Sequence, residues 1–173
     1  MTHHEDHQGP QDHQDEGTAK VAAMIKGVRI AMLTHVRPDG RLVSSPMATQ
    51  DVEFDGDVLF IARRSSDQVR DLSSVVGGAP VNVAYSSDST WVSVAGRAEV
   101  VHDSALLTEL WNTFTDAWLE GGPEDPENVL LRVRAESAQY WDSPGAKVTQ
   151  LANLVKAKVT GSRVEGDQGV VDL

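Results

Sequence analysis

The sequence predicts a mainly β fold with helices, built on an antiparallel sheet closed into a barrel. Three observations carry this reading. Two tight-turn signals, Pro38-Asp39-Gly40 and Asp55-Gly56, separate apolar runs early in the chain, and such short connections join antiparallel strands. Residues 81–85 alternate apolar and polar, and residues 91–101 form a long β-branched run. The strands are long and few, and closing the sheet is how such a set removes its edges.

The first 17 residues hold His3, His4, His7 and His13, five acids and no Lys or Arg. Burial cannot offset ordering there, so residues 1–17 are expected to be a disordered tail. No rigid element fixes ligand geometry for these histidines, and no metal site is expected. Val21, Met24, Ile25 and Val28 recur at helical spacing, which predicts a helix over 18–27 with Thr18 as N-cap and Gly27 at its end. Residues 28–36 read as the first strand. Residues 42–51 read as the second, and Pro46 marks an edge, a bulge or a place where backbone faces a ligand. Residues 58–62 are the third.

Ser66 is placed to cap a short helix carrying Val69, Leu72 and Val76, which Gly77-Gly78 ends. Strands over 81–85 and 91–101 follow, with Gly96 predicting a bulge or bend. Asp103 caps a predicted helix over 104–119. Its apolar stripe of Leu107, Leu110, Trp111, Phe114 and Trp118 reads as core or as a dimer face. After a loop over 121–128, residues 129–141 read as the last strand. Val148, Leu151, Leu154 and Val155 give a final helix. The domain is expected over 18–160. Residues 161–173 read as a C-terminal tail, with Val170, Val171 and Leu173 as an apolar end able to dock.

The chain has 173 residues, 40% of them hydrophobic, which fits one domain with a real core. No apolar run approaches the ~18 residues that cross a membrane. The opening residues have no basic or apolar signal region, and there are no cysteines. Disulfides, thiolate catalysis and cysteine-ligated clusters are thereby excluded, and a cytoplasmic protein is expected. Fifteen Lys and Arg against 26 Asp and Glu give a net charge of −11. Such a field repels nucleic acid and anionic membranes, so neither is expected as a partner. No nucleophile elbow, phosphate loop, zinc-protease motif or dinucleotide fingerprint is present. His35 and His102 are expected to be surface or satisfied residues. No catalytic acid or base can be assigned.

One region has the chemistry of a binding site. Ser45-Pro46-Met47 interrupts a strand, and Ile61-Ala62-Arg63-Arg64 runs into a helix start at Ser66. Helix-start amides and the two arginines suit a phosphate. The alternative is a plain cap flanked by solvated arginines. Trp91 and Trp141 could each stack on a flat ligand or fill the core. The residues alone leave both choices open.

The segment GRLVSSPMATQDVEFDGDVLFIARRSSDQVRDL resembles the flavin-binding half of the general stress protein 26 family, relatives of the pyridoxamine 5′-phosphate oxidases. That family's pattern runs G-x-x-x-S-R-P-M-x-x-Q, then D-G-x-L-W-F-x-T, then S-x-K-V. The blocks VNVAYSSDSTWVSVAGRAEVV, ELWNTF, LLRVRAESAQYWDSP and LVKAKVTG are similar in the same order, so the resemblance covers about residues 18–173. It implies an FMN-binding split barrel and a homodimer, with FMN or FAD held between subunits. The implied cofactor residues are Ser45, Pro46, Met47 and Ala48 on one strand, then Ile61 and Ala62 with Arg63 on another. Ser66, Gln68 and Val69 stand at the phosphate corner, and Trp91 and Trp141 are the aromatics. Ser45 stands where the pattern has arginine, Gln68 where it has lysine, and Ala62 where it has threonine. The implied activity is flavin-dependent oxidation or reduction. The alternatives are a non-catalytic or cofactor-free stress module and a deazaflavin-dependent reductase.

Overall fold

The computed structural model describes the backbone of residues 10–143 and 167–173, and the side chains of 16–143 and 167–173. Helix α1 (Pro10–Ile25) leads into strands β1 (Ile30–Val36), β2 (Leu42–Ala48) and β3 (Asp57–Arg63). Helix α2 (Asp67–Ser73), strands β4 (Ala79–Ser86) and β5 (Thr90–Val101), and helices α3 (Ser104–Leu110) and α4 (Thr113–Trp118) follow. Strand β6 (Asn128–Asp142) and the C-terminal β7 (Asp167–Asp172) complete the described elements.

The strands form one antiparallel sheet in the order β2-β1-β4-β5-β6-β3, with β7 also on β6. Ladders join every neighbour in this order, while β2 and β3 at its ends approach each other without one. This is a split β-barrel, as the turn signals and strand lengths predict. The β1–β2 hairpin closes where Gly40 takes φ +83°, a conformation side chains disfavour. Asp39 accepts from the Arg41 backbone amide at 3.1 Å and from its guanidinium.

Alternation decides what is inside. On β1, Ala31, Leu33 and His35 face inward and are buried. They join Phe60, Val83, Val94 and Leu131 in the main core, with Val69 and Leu72 of α2 over one end and Val21 of α1 fully buried. Burying a side chain of this size contributes about 1.5–3 kcal/mol. The β5–β6 register slips between Ala95 and Gly96, as the glycine predicts. A Cβ at Gly96 would lie 2.1 Å from the Arg134 carbonyl oxygen, so the bulge requires glycine. Pro46 sits on β2, the end of the strand order, where its missing N–H leaves the β1 ladder undisturbed.

Two expectations change. Helix α1 begins at Pro10 and not at the expected Thr18. Apolar periodicity registers a helix only where it buries a face, whereas a polar turn opened by proline satisfies the helix without one. Residues 1–9 lie outside the described residues.

The helix over 104–119 is two helices. Asn112 takes an extended backbone, and its Oδ1 accepts from the Phe114 and Thr115 amides, so it ends one helix and caps the next. The predicted stripe splits with it. Leu107 and Leu110 pack with Ile61 and Leu130 in a second cluster, whereas Trp118 is 74% exposed.

The C-terminal residues dock, as their apolar end suggests, and they do so as a strand. Strand β7 pairs with 137–142 of β6, and Val171 and Leu173 pack against the main core. The final helix expected near 148–155 lies outside the described residues, as does the block LVKAKVTG. No helix among the described residues is long and apolar enough to cross a membrane.

Candidate functional site

Strand β2 carries Ser45, Pro46, Met47 and Ala48. Met47 is buried, Ser45 and Ala48 are half-buried, and Pro46 is exposed. Because β2 ladders with β1 alone, every second set of its backbone N–H and C=O groups faces the split. That edge can present donors and acceptors to a flat heterocycle without rearranging the sheet. Across the split, β3 ends on Ile61 and Ala62, both buried, and Arg63.

The β3–α2 corner is less cationic than its sequence. The Ser66 side chain caps α2, accepting from the Val69 amide at 3.2 Å. Val69 itself is buried. Arg63 Nη1 donates to Glu120 O at 3.0 Å, Asp125 Oδ2 at 3.1 Å and Asn128 Oδ1 at 3.1 Å. Arg64 Nε donates to Pro126 O at 3.0 Å. Both arginines therefore bond the loop before β6. The Glu127 amide and the Arg63 guanidinium hold the Asp125 carboxyl below its ordinary range. Gln68 is different. Its Nε2 is buried and has no acceptor, a donor without a partner at the phosphate corner.

Trp91 and Trp141 form a direct cross-strand pair on β5 and β6. They are 44% and 42% exposed on the outward face, not in the core. Three strand steps separate β2 from β5, about 14 Å at ~4.8 Å per step. The predicted site residues thus do not share one face. Ser45 and Met47 point inward on β2, Pro46 and Ala48 lie on the outer sheet face with the tryptophans, Ile61 and Ala62 stand near the end of β3, and Ser66, Gln68 and Val69 stand at the β3–α2 corner. Ile30, Met32, Val36 and Leu42 are exposed on the tryptophans' face, continuing it to β2.

One charged cluster escaped the sequence reading. Of the two expected states, surface or satisfied, His35 takes the second: it is 2% exposed and paired through Nε2. Its Nε2 lies 3.2 Å from Asp71 Oδ2, and Arg37 Nε lies 3.3 Å from the same oxygen. The cluster ties α2 to β1, while His35 Nδ1 is buried without a partner. The alternation of β1 already puts residue 35 on the inward face with 31 and 33. His102 is exposed, as expected.

This geometry has known counterparts. The family model for pyridoxamine 5′-phosphate oxidase-like proteins matches residues 16–165. The protein bli-3 of Neurospora crassa is 31% identical over 141 residues, covering 75% of this chain and 66% of bli-3. The chain thus spans just under two thirds of that relative. A structure from Jannaschia sp. CCS1, assigned to general stress protein 26, superimposes with TM-score 0.77 at 26% identity, covering 92% of this chain and 99% of that one. The general stress FMN/FAD binding protein of Xanthomonas citri gives TM-score 0.63 at 28% identity, over 76% of this chain and 92% of its own. The chain belongs to the pyridoxamine 5′-phosphate oxidase-like family.

Proposed function

We propose that this chain binds a flavin in the split and acts as a flavin-dependent oxidoreductase. The observation that carries the reading is the free backbone edge of β2 at Ser45–Ala48, with the unpartnered donor of Gln68 at the start of α2 as a second polar group. The likeness to the FMN/FAD binding protein supports it. A bound isoalloxazine would supply hydride or electron transfer. The chain's own part is to hold the ring edge on β2 backbone groups and to offer Gln68 Nε2 to an acceptor at the corner. The corner's cations are engaged elsewhere, so the phosphate adds little to affinity, and FMN, FAD and riboflavin share one ring-recognition mode.

The functional unit in this reading is a homodimer. The outward face carries exposed Ile30, Met32, Val36, Leu42, Trp91 and Trp141 around the polar pairs Thr34–Ser44 and Asn82–Ser93, and large apolar side chains gathered on one exposed face suit an interface. A second copy seated there can bring its tryptophan pair to the first copy's β2. The visible spectrum of the purified protein, or of apoprotein titrated with FMN, tests the cofactor. Saturable flavin absorbance near ~450 nm supports the reading. Stoichiometric binding of a deazaflavin with no flavin binding overturns it in favour of a deazaflavin-dependent reductase.

A further inference from the structure

Two Asp-Gly pairs turn the chain on either side of β2. Asp39-Gly40 closes the β1–β2 hairpin, and Asp55-Gly56 leads into β3. Both aspartates are exposed, and each folds its carboxyl back across the glycine. Asp39 Oδ1 accepts from the Arg41 amide at 3.1 Å, and Asp55 Oδ1 from the Asp57 amide at 3.2 Å. Both glycines hold a positive φ, +83° and +108°. Glycine has no Cβ to shield its backbone, so each pair sets a side-chain carboxyl beside an open peptide nitrogen.

The pairs differ at the atoms that would react. Asp39 Oδ2 accepts from Arg41 Nε at 2.8 Å and Nη2 at 2.6 Å, and the Gly40 amide donates to Arg37 O at 2.8 Å. The Arg41 guanidinium holds the Asp39 carboxyl below its ordinary range. An ionised carboxylate is a poor electrophile, and an amide committed to a turn bond is not free to approach it. At the other pair, Asp55 Oδ2 and the Gly56 amide have no partner among the described residues. The same turn chemistry is thus locked at residue 39 and open at residue 55.

We propose that Asp55-Gly56 is a site of spontaneous backbone modification, at which Asp55 converts to isoaspartate, and that Arg41 protects Asp39-Gly40 from the same reaction. The Gly56 nitrogen attacks Cγ of the protonated Asp55 carboxyl. The amide proton and the carboxyl's hydroxyl leave as water, and a cyclic succinimide closes. Water then adds to the ring carbonyl that was the Asp55 backbone carbonyl, and the bond from that carbon to the Gly56 nitrogen breaks. The chain now runs through Cβ and Cγ of residue 55, and the former backbone carbonyl is a free carboxylate. Nothing is oxidised or reduced, and mass and charge are conserved. The extra backbone carbon enters where β3 begins. Gly56 O accepts from the Ala135 amide at 2.8 Å, and Asp57 is the first β3 partner of Arg134. The converted chain should lose that end of the ladder. Its melting temperature should fall by roughly 2–4 °C, the shift expected for about one hydrogen bond in a chain of this size. The new carboxylate is the group that isoaspartyl carboxyl methyltransferases esterify, so the aged chain becomes a substrate of that enzyme class. This chemistry needs no ligand and is independent of what the split holds.

The full chain is incubated warm at neutral pH, digested with trypsin and read by electron-transfer fragmentation, which tells isoaspartate from aspartate. Residues 39 and 55 fall in separate peptides, 30–41 and 42–63. In the folded protein, residue 55 should convert at least about tenfold faster than residue 39, a barrier difference of ~1.4 kcal/mol. In guanidinium the two should convert at similar rates, because only the folded chain holds Arg41 on Asp39. Arg41→Ala should raise conversion at residue 39 about threefold or more, and Arg41 is exposed, so the fold is kept. Asp55→Glu lengthens the side chain by one carbon and disfavours the ring. It should abolish methyl transfer to peptide 42–63 by an isoaspartyl methyltransferase, together with the fall in melting temperature on ageing. Equal conversion at the two sites of the folded protein overturns the proposal. So does a lack of isoaspartate at residue 55, a site preference that persists in guanidinium, or a residue 39 that stays inert in Arg41→Ala.

Discussion

Trp91 lies directly opposite Trp141 across the β5–β6 ladder, and both indoles stand on the outward face of the sheet. Cross-strand neighbours of this kind stabilise a sheet most when they are packed. In one chain the indole pair is half bare. The dimer reading covers it, and light scattering at micromolar concentration should then give about twice the 18.7 kDa chain mass. Met32, 39% exposed and opposite both Pro46 and Ala84, is central to that face. Met32→Glu should yield a folded monomer with red-shifted tryptophan emission and weakened flavin binding. A variant that stays dimeric would move the interface elsewhere.

The phosphate corner gives a sharper test. Ser45 and Gln68 stand where the family pattern has arginine and lysine, and the nearby arginines are tied to the loop before β6. The unaltered protein should therefore bind riboflavin nearly as well as FMN. Ser45→Arg with Gln68→Lys should tighten FMN at least about tenfold, ~1.4 kcal/mol or more of charge-assisted bonding, and leave riboflavin nearly unchanged. Equal tightening of both ligands in calorimetry would refute the phosphate argument.

Legibility followed the range of the physics. The split barrel, the edge at Pro46, the bulge at Gly96 and the Ser66 cap depend on turn chemistry, alternation and neighbouring residues, and all could be read locally. The break at Asn112 was missed because Leu107, Leu110, Trp111 and Phe114 keep helical spacing across it, and only the side-chain bonds of Asn112 separate the two helices. The role of Arg63 could not be read. Its partners lie 57, 62 and 65 residues away, and no local pattern shows whether a guanidinium faces a ligand or a loop.

Arg63 makes a prediction about acid stability. The Asp125 carboxyl is held below its ordinary range first by the Glu127 amide and then by Arg63. A lowered folded value means that the contribution is present above the unfolded value of ~3.9 and is lost as pH falls through the folded value. Asp125→Asn should therefore flatten the acid limb of a melting-temperature profile below about pH 4. Arg63→Ala should flatten it less, and should lower the neutral-pH melting temperature by ~2–4 °C for about 1 kcal/mol of lost hydrogen bonding. It should not change FMN affinity. A selective loss of FMN over riboflavin would show that Arg63 turns from the loop to a phosphate.

The docking of β7 rests on a glycine facing a tyrosine. Gly169 pairs with Tyr140, and a Cβ at 169 would lie 2.5 Å from the tyrosine hydroxyl and 2.7 Å from Cζ. That hydroxyl accepts from Lys20 Nζ at 2.8 Å, and the same ammonium pairs with Asp167 at 2.7 Å, so α1, β6 and β7 meet at one side chain. The Asp167 carboxylate and the tyrosine oxygen together push the Lys20 ammonium above its ordinary range. Gly169→Ala must move the Tyr140 ring, which is only 8% exposed, and with it the lysine contact. Overpacking of this kind costs ~1–3 kcal/mol, or roughly 2–4 °C of melting temperature per kcal/mol in a chain of this size. Hydrogen exchange should show the loss at the β7 amides and at 137–142 of β6 before it appears at β1 or β4. A Gly169→Ala protein that melts like the parent would mean that β7 is not locked by this contact. Uniform deprotection across the whole sheet would mean that β7 unfolds only with the barrel.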